Sequence, residues 1–191
     1  MRVVLASKSP RRKELMNLLN IDYEIIVSSS EERMNEKLNI YDQSKELAYD
    51  KAKNVFDTLE GDRIVIGSDT IVVKNNKIYG KPVSREDAFN MIKELQNDIH
   101  EVITSVSILI EKDGQIKEYV DLDITKVHVK EMSDKEIDNW INTGNALDKA
   151  GAYGIQSEFA IHIDKIEGNY HSVVGLPIHK VYEILKKENI L

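Results

Sequence analysis

Six charged residues stand where charge is costly or constrained. In Ser7-Lys8-Ser9-Pro10-Arg11-Arg12-Lys13-Glu14, Ser9 and Pro10 read as an N-cap and a first helical residue. Arg11 and Arg12 then fall in the first helical turn, where unpaired N–H groups and the helix dipole already make the potential positive. Such a turn is a ready phosphate site, or else a solvated basic patch. Lys51 lies four residues from both Leu47 and Val55, so it shares the apolar stripe of its helix and must snorkel outward or meet an anion. Lys81, between Gly80 and Pro82, sits on a loop of restricted conformation. Asp69 interrupts two β-rich runs, as a strand-end acid facing a site or as an Asx turn, and Glu32 follows Glu31 in a polar stretch. Cations beside carboxylates are the inventory for hydrolysing a polyphosphate. The cations neutralise phosphate charge, and the acids hold a hard divalent metal or activate water.

The elements that must position these residues follow from periodicity and caps. Residues 3–5 form a strand before the first helix, whose apolar stripe is Leu15, Met16, Leu18 and Leu19. Residues 23–27 read as a strand, and residues 42–59 as a helix with Asp42 as N-cap. Residues 63–67 and 70–73 read as two β runs, with a hairpin turn at Asn75-Asn76 and a helix capped by Ser84 after it. A long hairpin (101–111 and 118–130) turns at Asp113-Gly114, and Ser133 to Glu136 is a capping box for the helix bearing Trp140. A glycine-rich segment, 143–156, precedes a strand at 159–166 and a C-terminal helix at 177–187.

With 191 residues, 41% hydrophobic and 31% charged, the chain reads as one globular domain, 1–191. The absence of cysteine excludes disulfides and thiolate chemistry. A net charge of −7 argues against nucleic-acid binding, and no apolar run is long enough for a membrane span. The five histidines lack metal-ligand spacing. A cytoplasmic protein is the expectation.

Five segments carry a resemblance. They are residues 5–15 (Leu-Ala-Ser-Lys-Ser-Pro-Arg-Arg-Lys-Glu-Leu), 67–72 (Gly-Ser-Asp-Thr-Ile-Val), Gly80-Lys81-Pro82, 148–156 (Asp-Lys-Ala-Gly-Ala-Tyr-Gly-Ile-Gln) and 170–177 (Tyr-His-Ser-Val-Val-Gly-Leu-Pro). Together and in this order they resemble the Maf family of nucleoside triphosphate pyrophosphatases. The resemblance implies an inosine-triphosphatase-like α/β fold, a long mixed twisted sheet with flanking helices in two lobes around a cleft. It implies hydrolysis of a nucleoside triphosphate to the monophosphate and pyrophosphate with a divalent cation, Mg or Mn. By position, Asp69 matches the family's proton acceptor, and Arg11, Thr70 and Gln156 match positions that set base preference, with the identities of the dTTP/UTP branch. A glutamine amide offers the donor and acceptor that a pyrimidine edge requires. Arg12, Lys51 and Lys81 match phosphate-binding positions, Ser7 a further substrate-site position, and Glu32 a carboxylate sharing the metal with Asp69. Modified pyrimidine nucleotides are further candidate substrates, and family analogy suggests a homodimer.

Two departures stand against the pattern. Gly144-Asn145-Ala146 replaces the usual Gly-Glu-Pro, and Ser157 replaces the glycine after Gln156. Neither touches Asp69. The competing reading is a nucleotide-binding regulator of septum formation with little turnover, which would bind without releasing pyrophosphate.

Overall fold

The computed structural model describes residues 1–29 and 35–191. Glu32, the expected metal carboxylate, lies outside the described residues. One seven-stranded sheet runs in the order β2-β1-β3-β5-β6-β7, with β4 paired to β3. Its members are β1 (Arg2–Leu5), β2 (Glu24–Ile25), β3 (Arg63–Lys74), β4 (Lys77–Tyr79), β5 (Asp98–Lys112), β6 (Gln115–Val129) and β7 (Ile163–Glu167). β1 pairs in parallel with β2 and β3, whereas β3–β4 and β6–β7 are antiparallel, so the sheet is mixed. The α/β class and the mixed sheet with flanking helices are thus as expected from the resemblance.

Contacts divide the chain into two compact units. The first comprises Met1–Asp69, Thr104–Asp123 and Gly175–Leu191. It holds α1 (Pro10–Asn17), α2 (Ile40–Phe56) and α6 (Ile178–Lys187). Its core gathers Val4 of β1, Ala6 just after it, Val65 of β3, Leu109 of β5 and Ala52, Val55 and Phe56 of α2. β1 is apolar and buried through Val3, Val4 and Leu5, as a strand covered on both faces must be.

The second unit comprises Thr70–Ile103 and Ile124–Val174. It holds α3 (Arg85–Leu95), α4 (Asp134–Asn142), α5 (Tyr170–Val174) and two short 3-10 turns, Ala150–Ala152 and Glu158–His162. Its core is built on Val72, Ile92, Leu95, Trp140, Tyr153 and Phe159.

Local signals are obeyed where they are strongest. Ser84 accepts from the Asp87 N–H at 3.0 Å, and Ser133 with Glu136 forms the full capping box. Asn75 and Asn76 both have positive φ, 50° and 60°, as a tight hairpin turn of the favoured hand requires. Elsewhere the structure corrects the sequence reading. α2 starts at Ile40 with Asn39, not Asp42, as its cap, and Asp42 instead donates its N–H to Asn39 Oδ1. The strand expected at 23–27 shrinks to Glu24–Ile25, which pairs with Val4 and Leu5 of β1. At 159–166 the first half is a 3-10 turn, since Phe159 turns inward onto Trp140 and Tyr153 instead of alternating along a strand.

Candidate active site

In the first unit, β1 and β3 run parallel through the pairs Arg2–Arg63 to Leu5–Ile66. Ser7 and Asp69 follow just beyond the carboxyl end of that pairing, where open α/β sheets bind ligands. β3 does not break there. It continues unbroken from Arg63 to Lys74, so Asp69 lies inside a strand, neither at a strand end nor in an Asx turn, the two places the sequence suggested.

An acid inside a buried strand needs a partner. The partner is Lys51, whose ammonium donates to Asp69 Oδ1 at 2.5 Å. The two side chains are only 12% and 8% exposed, so the ion pair is shielded from bulk water. Lys51 therefore meets an anion instead of snorkelling. Gly67, two residues before Asp69 on the same strand face, makes this contact possible. A Cβ on Gly67 would lie 2.7 Å from Ala52 N and 2.9 Å from its Cβ, so the missing side chain lets α2 ride directly on β3.

A second cluster forms around Arg12. Its Nε donates to the Gly175 carbonyl at 2.8 Å and its Nη1 to Ser7 Oγ at 3.3 Å. Ser7 Oγ also accepts from the Ser9 N–H at 3.2 Å. Ser9 is the N-cap by position and Pro10 the first helical residue, as expected, but the Ser9 side chain makes no cap hydrogen bond. The first turn of α1 contains no acid, so Arg11 and Arg12 add to the positive end of the helix. Ser68 faces the side of β3 opposite Asp69, and its hydroxyl lies 3.1 Å from the same Gly175 carbonyl.

The remaining expected residues lie in the second unit. Thr70 is half-buried, and Lys81 and Gln156 are exposed. The Lys81 loop is tied to the glycine-rich segment by a hydrogen bond from Gly151 N–H to Gly80 O at 3.0 Å. Gly151 has φ 66° and Ala152 φ 61°, a left-handed pair that the Trp140 indole stabilises by donating Nε1–H to Ala152 O at 2.8 Å. A side chain at Gly151 would be crowded as well as strained, since a Cβ would lie 3.1 Å from the Val72 methyls. Tyr153 is anchored by its hydroxyl, 2.6 Å from His100 Nε2.

The Ser157 departure adds a side-chain contact. Ser157 Oγ donates to Gly154 O at 2.6 Å and closes the turn that carries Gln156. Asn145 contributes its carbonyl, which accepts from Lys149 Nζ at 2.5 Å, and Ala146 is fully buried.

The sequence therefore named both members of the Lys51–Asp69 pair and both side chains of the Arg12–Ser7 contact. It missed Ser68 and Gly175 as partners of that second cluster, and Trp140 and His100 as anchors of the glycine-rich segment. The separations along the chain are 107 residues for Ser68–Gly175 and 163 for Arg12–Gly175, and no local pattern reports contacts of that range.

For a divalent cation the donor chemistry fits in part. Asp69 supplies hard carboxylate oxygens, although Lys51 already occupies Oδ1. Among the described residues, no group of three or more His, Cys, Asp or Glu side chains could hold a metal. A cation bound by one or two carboxylates together with substrate phosphates, as Mg²⁺ commonly is, needs no such cage.

Comparison with known proteins agrees with the motifs. A family model described as "Maf-like protein" matches residues 2–188. The dTTP/UTP pyrophosphatase of Thermoanaerobacter sp. (strain X514) is 48% identical, covering 98% of this chain and 97% of that one. That of Alkaliphilus metalliredigens (strain QYMF) is 46% identical, covering 97% and 95%, and that of Aquifex aeolicus (strain VF5) is 39% identical, covering 100% and 97%. Among solved structures, the Staphylococcus aureus Ham1 protein matches 68% of this chain and 72% of its own at 14% identity and TM-score 0.44. With its family model matched almost end to end and its relatives covered over nearly their full length, the chain belongs to the Maf-like protein family.

Proposed function

We propose that the protein is a nucleoside triphosphate pyrophosphatase acting on dTTP and UTP, with Asp69 as general base. The observation that carries this reading is the shielded Lys51–Asp69 ion pair just past the carboxyl end of the β1–β3 pairing. The pyrophosphatase names of relatives 39–48% identical to this chain support the substrate class.

In this reading Asp69 takes a proton from water as the water oxygen attacks the α-phosphorus. The new O–P bond forms as the bond from that phosphorus to the bridging oxygen breaks, and pyrophosphate leaves with the electron pair. Arg12, Lys51 and Lys81 oppose the phosphate charge, and Lys51 also holds the Asp69 carboxylate in place. Arg11, Thr70 and Gln156 discriminate the base, and Ser7 fixes the Arg12 guanidinium. A bound Mg²⁺ or Mn²⁺, held by Asp69 and Glu32, would supply further neutralisation of the phosphates. The reading is of a cytoplasmic hydrolase whose substrates extend to modified pyrimidine nucleotides.

The test is pyrophosphate release from a panel of nucleoside triphosphates with Mg²⁺ or Mn²⁺. Release from dTTP and UTP well above that from purine substrates is expected, and Asp69→Asn should abolish it. Tight dTTP binding without release by the wild type would overturn the enzymatic reading.

A further inference from the structure

The fully buried hydroxyls of Ser44, Ser68 and Ser105 have no place in the chemistry above, and three buried hydroxyls in an apolar unit call for a reason. Ser44 Oγ and Ser105 Oγ are 2.7 Å apart. Ser68 Oγ lies 2.8 Å from the Ser105 carbonyl and 3.1 Å from the Gly175 carbonyl. Its single proton is therefore shared between a carbonyl on β5 and a carbonyl at the start of the segment leading to α6.

The Gly175 carbonyl completes the relay. It accepts from Ser68 on one side and from Arg12 Nε on the other, which uses both of its lone pairs. Gly175 has φ 131°, a backbone conformation that L side chains rarely adopt, so its orientation is a built feature of the turn. With Nε fixed there and Nη1 on Ser7, the planar guanidinium of Arg12 has little freedom to rotate. Ser68 is also the chain neighbour of Asp69, which Lys51 holds from the opposite face of β3.

We infer that Ser68 is a positioning residue: through the Gly175 carbonyl, its hydroxyl fixes the Arg12 guanidinium relative to the strand position that carries Asp69. This rests on the proposed pyrophosphatase reading. Ser68 touches no substrate. Its loss frees the Ser105 carbonyl, leaves the charge of Arg12 intact and removes a constraint on where that charge sits. A cation displaced slightly still attracts a polyphosphate but matches the transition state less well, so the loss falls on kcat more than on KM.

The test is a double-mutant cycle on dTTP hydrolysis with Ser68→Ala and Arg12→Lys, the latter keeping the charge while removing the Nε–H that Gly175 accepts. Ser68→Ala should lower kcat about tenfold with KM nearly unchanged when Arg12 is present, and change it less than about twofold in the Arg12→Lys background. Equal effects in both backgrounds would overturn the inference and leave Ser68 a structural residue. Should Ser68→Ala fold poorly by thermal melt, Ser68→Cys, close in size but a weak donor, takes its place in the same cycle with the same two outcomes. Absence of turnover in the wild type would instead defeat the functional reading on which the inference stands.

Discussion

A Cβ on Gly67 would lie 2.5 Å from the carbonyl oxygen of Ala48, closer than a side-chain carbon and a backbone oxygen can approach. α2 thus packs on β3 at a distance that only glycine permits, and that distance brings Lys51 to Asp69. Gly67→Ala must push helix and strand apart, because the clashing atoms belong to backbone and cannot rotate away. The expected cost is about 2 kcal/mol of stability, with activity falling by a larger factor than the loss of folded protein explains. Thermal melts and kcat on the folded fraction check both parts, and unchanged kcat would separate helix packing from catalysis.

His100 gives the second unit a pH dependence. Burial pushes its imidazole down to about 4 from an ordinary value near 6.5, with the positive charge of Lys74 adding to the effect and Asp98 opposing it. Between these values the unfolded chain binds a proton that the folded chain does not, so stability is full above about pH 6.5 and falls as pH drops toward 4. The contribution is on the order of 3 kcal/mol across that window. His100→Gln should shrink the difference in unfolding free energy between pH 7 and pH 4.5 by about 2 kcal/mol. An identical pH dependence in both proteins would show that His100 takes up its proton in the folded state as readily as in the unfolded chain.

Trp140 holds the left-handed Gly151–Ala152 pair through Ala152 O. Trp140→Phe keeps an aromatic ring against Phe159 but leaves that carbonyl without its indole donor, at a cost of about 2 kcal/mol. Because the same segment leads to Gln156, the ratio of kcat/KM for dTTP over dCTP should also narrow. A destabilised variant with full selectivity would show that the turn carries stability alone.

How far the sequence was legible depends on the range of each interaction. Ser84, Ser133, Asn75-Asn76 and the α2 stripe through Leu47 and Val55 were all readable, because each signal lies within a few residues of its effect. Asp69 was readable as an anomaly, and the resemblance of its motif implied a role. Its place inside an unbroken strand was not readable, because a strand tolerates a buried acid only when Lys51, 18 residues earlier, neutralises it. Phe159 misled for a related reason. Its apolar neighbours alternate like a strand, but aromatic packing on Trp140 and Tyr153 outweighs that pattern. Ser44, Ser68 and Ser105 looked like ordinary polar residues, and only the fold makes them one buried cluster.

The most direct test of the central claim is the rate of pyrophosphate release from dTTP and UTP by the wild-type protein and by Asp69→Asn, at saturating Mg²⁺ or Mn²⁺. Turnover by the wild type is expected, with a fall of at least about a hundredfold in the variant and dTTP binding largely retained. Release that survives the substitution would contradict the assignment of Asp69 as the base, whatever the substrate preference proved to be.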